Sequence, residues 1–497
     1  RLHTRLAWAA ALAGRSHDGQ AQLDAARRLL GPDAPEELTA PIDVVAAHLA
    51  LDLPGPDPVG TAELLARRAA ETAEKVPLPV VGCQAWQLLG AVIRSRDPAG
   101  ATACLERAHG LALKHRLPME EIHALIRLGN DDALHHGGTA RLEQVRRQAT
   151  GLGAVLTQYQ AEASLALQAI LRGEFADAGA TLARVIEVTT RLRLLETSRY
   201  ALLLRAVLHG HRGWRTEMEA DLAELRRASG THHAQDLPRV HGLARAWCAL
   251  LEEDRDKARA ELDRAGAAEG AGAAVFQLTG RHGLRLLLAV LAGEAGEAEH
   301  AEARDGPMGN LRWERQFIEL AGAVLAGRSG NGGRYGNGGR DGRGAGAAHA
   351  ERLLADALRT AEPYATARHL GLRLVAEAAL ADGWGTPVEW LRTAEEHFHD
   401  TGIPAVAGAC RTLLRRSGAT VGQRRAGAGE IPAVLRTSGV TVREYEVLGL
   451  LVDRLGNREI AARLQLSPRT VEKHVASLLA KTGQADRIAL GQYAAGL

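Results

Sequence analysis

A Gly-, Asp- or Pro-bearing break recurs along most of this chain at nearly even intervals, and no other feature restricts the fold as much. The breaks centre near residues 18, 57, 97, 137, 173, 213, 255 and 294, so successive steps are 36 to 42 residues. Between breaks the apolar residues follow a helical period. In residues 152–190 the first segment aligns Leu156, Tyr159, Ala163, Leu167 and Ile170 on one face. The segment after Gly173 aligns Phe175, Ala178, Leu182, Val185, Ile186 and Thr189. Neither helix can bury its stripe alone, because each stripe covers one side of a cylinder. Stacking successive hairpins buries all the stripes in one continuous core. The period therefore predicts an all-α chain with a TPR-like, helical-hairpin repeat solenoid over residues 1–414. Aromatic residues make up only 3% of the chain, which disfavours a β-sandwich or barrel.

The break due near residue 333 is replaced by RSGNGGRYGNGGRDGRGAGA, residues 328–347. Gly-rich sequence loses much chain entropy on ordering and offers little surface to bury. The stretch is predicted to be one hairpin turn expanded into a disordered insertion. Trp214 and Trp384 each follow a turn glycine, and Phe175 sits at a similar place. An aromatic ligand box is one reading; filling the gap between stacked hairpins is the simpler one.

Much chemistry is absent. No Gly precedes any of the five lysines, so no phosphate-cradling P-loop lies in the chain. Neither HExxH nor GxSxG occurs. His135-His136, His232-His233 and His397-Phe398-His399 lack Cys or carboxylate partners at metal-ligand spacing. The reading is of a non-enzyme with no catalytic residues, no metal site and no cofactor in this chain. Cys83, Cys104, Cys248 and Cys410 are far apart and form no CxxC pair, which suits a reduced, cytoplasmic compartment. There is no apolar run long enough to span a membrane.

The composition changes after Leu414. Residues 415–436 are basic and Gly-rich and are predicted to be a flexible linker. Residues 411–440 carry six Arg against Glu430 alone, and residues 441–497 carry eight basic against six acidic residues. The first 410 residues hold the remaining 47 basic and 52 acidic residues, so positive charge is concentrated at the C-terminal end. Clustered basic charge attracts a polyanion by releasing its counterions.

Residues 437–497 are predicted to form four helices. Thr441 and Glu444 make a Thr-x-x-Glu capping box. Residues 457–481 read as two helices joined by a tight turn, the first capped by Asn457 and the second by Ser467 with Pro468 at its first position. On the second helix Val471, Val475, Leu478 and Leu479 point inward, and Arg469, Glu472, Lys473, Ala476 and Ala480 point outward. Asp486 is placed to cap the fourth helix. A helix with small and basic residues outward, propped on a shorter helix, has the shape that enters a DNA major groove.

The residues VTVREYEVLGLLVDRLGNREIAARLQLSPRTVEKHVASLLAKTGQADRIAL resemble the LuxR-type helix–turn–helix domain. The agreement includes Thr441, Glu444, Asn457, Glu459, Ile460, Ala461, Ser467, Pro468, Thr470, Val471, His474, Lys481, Gly483 and Arg487. Arg454, Gln465 and Thr482 depart from the family's usual residues; the first two are expected to strain their turns and Thr482 to weaken a core contact. The resemblance implies a DNA-binding set of Ser467, Arg469, Thr470, Glu472, Lys473, Ala476, Ser477 and Lys481, with Lys473 the leading base reader. Glu459 is expected to steady the fold. Residues 485–497 would form the contact of a homodimer. The whole layout is similar to large ATP-binding LuxR-family regulators. A chain starting at Arg1 would then be a fragment, and ATP would enter only through an ATPase upstream of it. The expected partners are double-stranded DNA and an effector ligand or protein on the solenoid, with no membrane. The competing reading is a helical-repeat interaction scaffold without specific DNA binding.

Overall fold

The computed structural model describes residues 2–12, 15–94, 96–229, 236–270, 278–329, 340–420, 432, 434–435, 438, 440–453, 455–464 and 466–495. Among these residues there is no strand. The chain divides into two compact units, Arg1–Ser417 and Gly418–Leu497.

The first unit is a run of antiparallel helix pairs. Helix Glu36–Asp52 precedes Pro58–Lys75, Pro79–Ile93 precedes Pro98–Lys114, Val155–Arg172 precedes Phe175–Arg191, and Leu195–His211 precedes Arg215–Ser229. The sequence breaks near 57, 97, 137, 173, 213, 255 and 294 all fall at the turn inside a pair. Two devices close these turns. Asp57 and Asp97 cap their helices by accepting from the N–H of Gly60 and Gly100 at 2.8 Å, each with a proline at the first helical position. Gly173 (φ +86°) and Gly213 (φ +71°) instead end the first helix of their pair in the left-handed region, which disfavours a Cβ. The first predicted break, His17-Asp18-Gly19, differs: it lies inside helix Ser16–Leu30, whose turn falls earlier. There Gly19 lets the helix approach the Ala7 carbonyl and Leu49 closely.

Within pairs the apolar stripe faces inward largely as its period requires. Ala163, Leu167, Ile170, Ala178, Leu182 and Val185 are all buried. Leu156 is the exception, being exposed at the open end of its helix. The first helix of each pair is buried on more than one side, so Glu162 and Gln168 are inside as well. Glu162 is compensated there by Arg184, whose guanidinium lies 2.8 Å away.

Repeats far apart in sequence also meet. Arg312 donates to the carbonyls of His136 (2.6 Å) and Thr360 (2.8 Å). Arg373, nearly buried, pairs with Glu253 at 2.8 Å, and Arg255 pairs with Glu377 at 2.9 Å. The array therefore winds back on itself. Its centre is aromatic: His211 stacks on Trp247 (centroids 4.6 Å), and Trp313 lies 5.2 Å from both Trp247 and Tyr364 and 5.8 Å from Phe317. All five side chains are buried. Trp384 is also buried and packs against Trp390 and Gly327, as a gap-filling residue does. Trp214 behaves differently and remains 40% exposed.

Two boundaries differ from expectation. Arg328 and Ser329 finish helix Arg312–Ser329, and residues 340–347 belong to helix Arg340–Thr360, so both ends of the predicted insertion 328–347 are helical. Packing of the two flanking helices on each other supports their extension into the Gly-rich sequence. Residues 330–339 lie outside the described residues. Likewise Arg415 and Arg416 continue helix Pro404–Arg416, and Leu435 is buried in the core of the second unit, so both ends of the predicted linker 415–436 are taken up by the units. The rest of the linker lies largely outside the described residues.

The four cysteines are free and buried, with the thiols of Cys83 and Cys410 pushed up to about 12 and that of Cys248 to about 11 by desolvation. No helix among the described residues is long and apolar enough to cross a membrane.

Candidate nucleic-acid interface

The second unit holds four helices: α1 (Val442–Val452), α2 (Asn457–Leu464), α3 (Pro468–Thr482) and α4 (Arg487–Ala495). Its core takes Val447, Leu448 and Leu451 from α1, Ile460 and Ala461 from α2, Val471, Val475 and Leu478 from α3, and Leu490 from α4. Leu435 and Val440 complete it from the segment before α1. This is a separate core, with no need of the repeats to bury its apolar faces.

Local chemistry sets the helix starts. The Thr441–Glu444 capping box forms: the Glu444 carboxylate accepts from the Thr441 N–H at 2.7 Å. Ser467 caps α3 by accepting from the Thr470 N–H at 3.1 Å, with Pro468 following. The predicted cap at Asn457 is corrected. Asn457 is already the first residue of α2, and Gly456 precedes it with its N–H donated to Glu459 at 2.7 Å. A glutamate three residues on can satisfy the free N–H of a Gly cap. That gives Glu459 a fold-steadying bond and releases Asn457, whose side-chain oxygen accepts from Arg487. Asp486 accepts from the N–H groups of Ile488 and Ala489 at 2.9 and 2.8 Å, and so opens α4. Thr482 settles its hydroxyl on the Leu478 carbonyl at 2.7 Å. Arg454 and Gln465 lie outside the described residues.

The outward face of α3 is as its period predicts. Arg469, Glu472, Lys473, Ala476 and Ala480 are all exposed. Ser467 is exposed at the helix start, and Thr470 is half-buried with its hydroxyl 2.7 Å from that of Ser467. Ser477 and Lys481 are not on this face. Ser477 donates to Glu444 at 2.6 Å, and the Lys481 ammonium donates to both Glu444 oxygens at 2.9 and 2.7 Å. Glu444 is only 5% exposed, and a buried carboxylate needs a cation and donors around it. Ser477 and Lys481 are four residues apart and share a helix side, so both reach it. Burial alone would raise the Glu444 pKa; the Lys481 and Ser477 bonds, with those of Thr441, instead lower it to about 2.

This internal pairing explains how a domain of small net charge can present a positive face. Lys481 is held by Glu444 and Arg443 pairs with Glu446. Arg443 also donates to the Leu464 carbonyl, and Arg487 to the Leu455 carbonyl and Asn457, so the two arginines tie down both ends of α2. Arg458, Arg463, Arg469 and Lys473 have no ion pair among the described residues, and all four are exposed. Arg458 and Arg463 were not singled out by sequence reasoning. The signal that could have found them is their place on the polar side of α2, opposite Ile460 and Ala461.

A four-helix core with a capped, outward-facing helix joined to a shorter helix by a tight turn defines a helix–turn–helix DNA-binding domain. Residues 438–494 match the family model of bacterial regulatory proteins, luxR family. The C-terminal unit is thus a LuxR-type helix–turn–helix domain, which supports a DNA-binding role in transcription regulation.

Proposed function

We propose that the protein is a sequence-specific regulator whose helical-repeat unit receives a signal, a ligand or a partner protein, and whose C-terminal domains pair on DNA in response. The observation that carries the DNA-binding half is the outward face of α3, where Arg469 and Lys473 are exposed and unpaired among the described residues beside the small Ala476 and Ala480. In this reading α3 enters the major groove. Ser467, Arg469 and Thr470 meet phosphate at its N-terminal end, where free N–H groups also favour an anion. Lys473 reads a base edge, since an ammonium can donate to guanine O6 and N7. Ala476 leaves room for a base or a thymine methyl, and Glu472 excludes guanine-rich registers at its position while accepting from a cytosine amine. Ser477 and Lys481 hold the helix in place through Glu444 rather than touching DNA.

Pairing is assigned to α4. Leu490 anchors this helix in the core, while Ile488 is 73% exposed on its other side. Two domains joined there would meet half-sites about one helical turn apart. The repeat unit then acts by raising or lowering the effective concentration of one domain near the other. The protein works in the cytoplasm on this reading, where its DNA is.

Replacing Lys473 with alanine is expected to cost about 1–3 kcal/mol at the preferred site and to relax specificity at one base position. Binding measured against a panel of single-base variants checks this. An equal loss on every sequence would make Lys473 a phosphate contact and leave base reading to other residues.

A further inference from the structure

The first unit contains a cleft of about 430 Å³ at a place where distant repeats meet. Two walls come from the turns after helices Val155–Arg172 and Leu195–His211, which contribute Arg172, Phe175, Arg212 and Trp214. The opposite walls come from the start of helix Ala365–Asp382, with Thr366, and from the turn before helix Pro404–Arg416, with Thr401. The volume lies within the range of small-molecule sites.

The charge of this cleft is one-sided. No carboxylate lines it, whereas three other clefts of the unit each include a glutamate. Arg212 has no carboxylate partner among the described residues and lies over the Trp214 ring, 3.3 Å from its centroid. His209 stacks on the same indole, with ring centroids 5.8 Å apart. Arg172 gives one N–H to the Gly137 carbonyl and keeps a buried Nε with no acceptor. Arg172, like Arg212, lines the cleft and has no ion pair among the described residues. His397, also in the wall, is pushed down to about 4 by burial and is neutral at ordinary pH. The cationic pole is therefore made by the arginines. Phe175, Ile403 and Trp214 supply an apolar part, and Thr366 and Thr401, whose hydroxyls bond the His397 ring and carbonyl, line it as well.

We propose that this cleft binds a small organic anion, a carboxylate or phosphate ester carrying an apolar body, with the anionic oxygens on Arg172 and Arg212. The inference rests on the reading of the repeat unit as the receiver of a signal, and the position of the cleft gives it a mechanism. Its walls come from repeats about 200 residues apart in the chain, so a bound ligand ties together two stretches of the array and biases how tightly it winds.

The test is calorimetric titration of the full chain with benzoate and phenyl phosphate, against benzamide and inorganic phosphate. Saturable binding of one or both organic anions is expected, with little binding of benzamide or inorganic phosphate; which anion binds tighter distinguishes carboxylate from phosphate. Arg212→Gln is expected to weaken binding about ten- to hundredfold, the worth of a charge-assisted hydrogen bond. Thr401→Glu, at an exposed rim position, places a carboxylate in the cleft at the loss of one hydroxyl bond to the His397 carbonyl and is expected to weaken binding as much. Thermal melts show whether each variant is folded, and Thr401→Glu carries the test if Arg212→Gln is not. Absence of saturable binding to both organic anions, or unchanged affinity in a folded variant, would overturn the proposal. DNA binding of the unsubstituted chain is measured alongside: absence of anion binding with DNA binding intact refutes this site alone, while absence of DNA binding refutes the proposed function.

Discussion

Replacing Glu444 with alanine is expected to destabilise the C-terminal domain by about 3 kcal/mol, a large part of what holds so small a unit together. One carboxylate makes three kinds of bond here. It closes the capping box on Thr441, accepts from Ser477, and holds Lys481 in a nearly buried pair. Its removal leaves the N–H of the cap residue Thr441 without its carboxylate acceptor and frees the Lys481 end of α3. The same residue makes stability depend on acid. Its folded pKa of about 2 lies below the ordinary value of 4.5, so the stabilisation is complete above that ordinary value. It is lost as pH falls from about 4.5 to about 2, with an amplitude on the order of 3 kcal/mol. Denaturant melts of the domain at a series of pH values check both effects, and Glu444→Gln should flatten the acid limb. A wild-type melt that does not change across that window would show that the Lys481 pair contributes nothing. The functional consequence is indirect: α3 should lose its fixed angle on the core before it loses any residue that faces DNA.

Replacing Trp313 with alanine is expected to cost about 3–5 kcal/mol in the first unit. Trp313 is buried among Trp247, Phe317 and Tyr364, so truncation leaves a cavity that three rigid rings cannot collapse to fill. Its neighbour Arg312 ties the same helix to the carbonyls of His136 and Thr360. The cavity would thus open at the place where separate stretches of the array are joined. Trp313→Phe should cost much less, because the indole N–H has no hydrogen-bond partner to lose. Since the two units have separate cores, the expected melt shows the transition of the first unit shifted and that of the second unchanged. A shift of both transitions together would mean that the units unfold as one.

These two residues also mark what a linear reading can and cannot reach. The Thr441–Glu444 box and the Ser467–Pro468 start were legible, because caps depend on residues three apart. The outward face of α3 was legible for the same reason, as helical period alone decides it. The second role of Glu444 was not, because Ser477 and Lys481 lie 33 and 37 residues away. Their inward turn follows from the desolvation of a carboxylate that only the packed domain buries. Asn457 was misread because two caps competed locally, and Gly456 with Glu459 satisfied the backbone better. In the first unit the period located the pair turns, yet nothing in it foretold Arg312 meeting His136, or Arg373 meeting Glu253. Those contacts depend on how far the array winds, which is the sum of small rotations between many repeats. Trp214 shared its sequence position with Trp384 but not its environment, because only Trp384 has a neighbouring helix with a glycine to receive it.

The decisive measurement is the affinity of residues 431–497 and of the full chain for duplex DNA as a function of salt. Each phosphate contact contributes about 0.9 to the slope of log affinity against log salt, so the three unpaired cations other than the base reader Lys473 imply a slope of roughly −3 per bound domain. That steep fall is expected for both proteins, with the full chain binding a two-half-site duplex differently from the isolated domain because the repeat unit controls pairing. An affinity for DNA that salt leaves unchanged, or no measurable binding by either protein, would contradict a DNA-binding role for this face; identical affinity and slope in both would remove any part for the repeats.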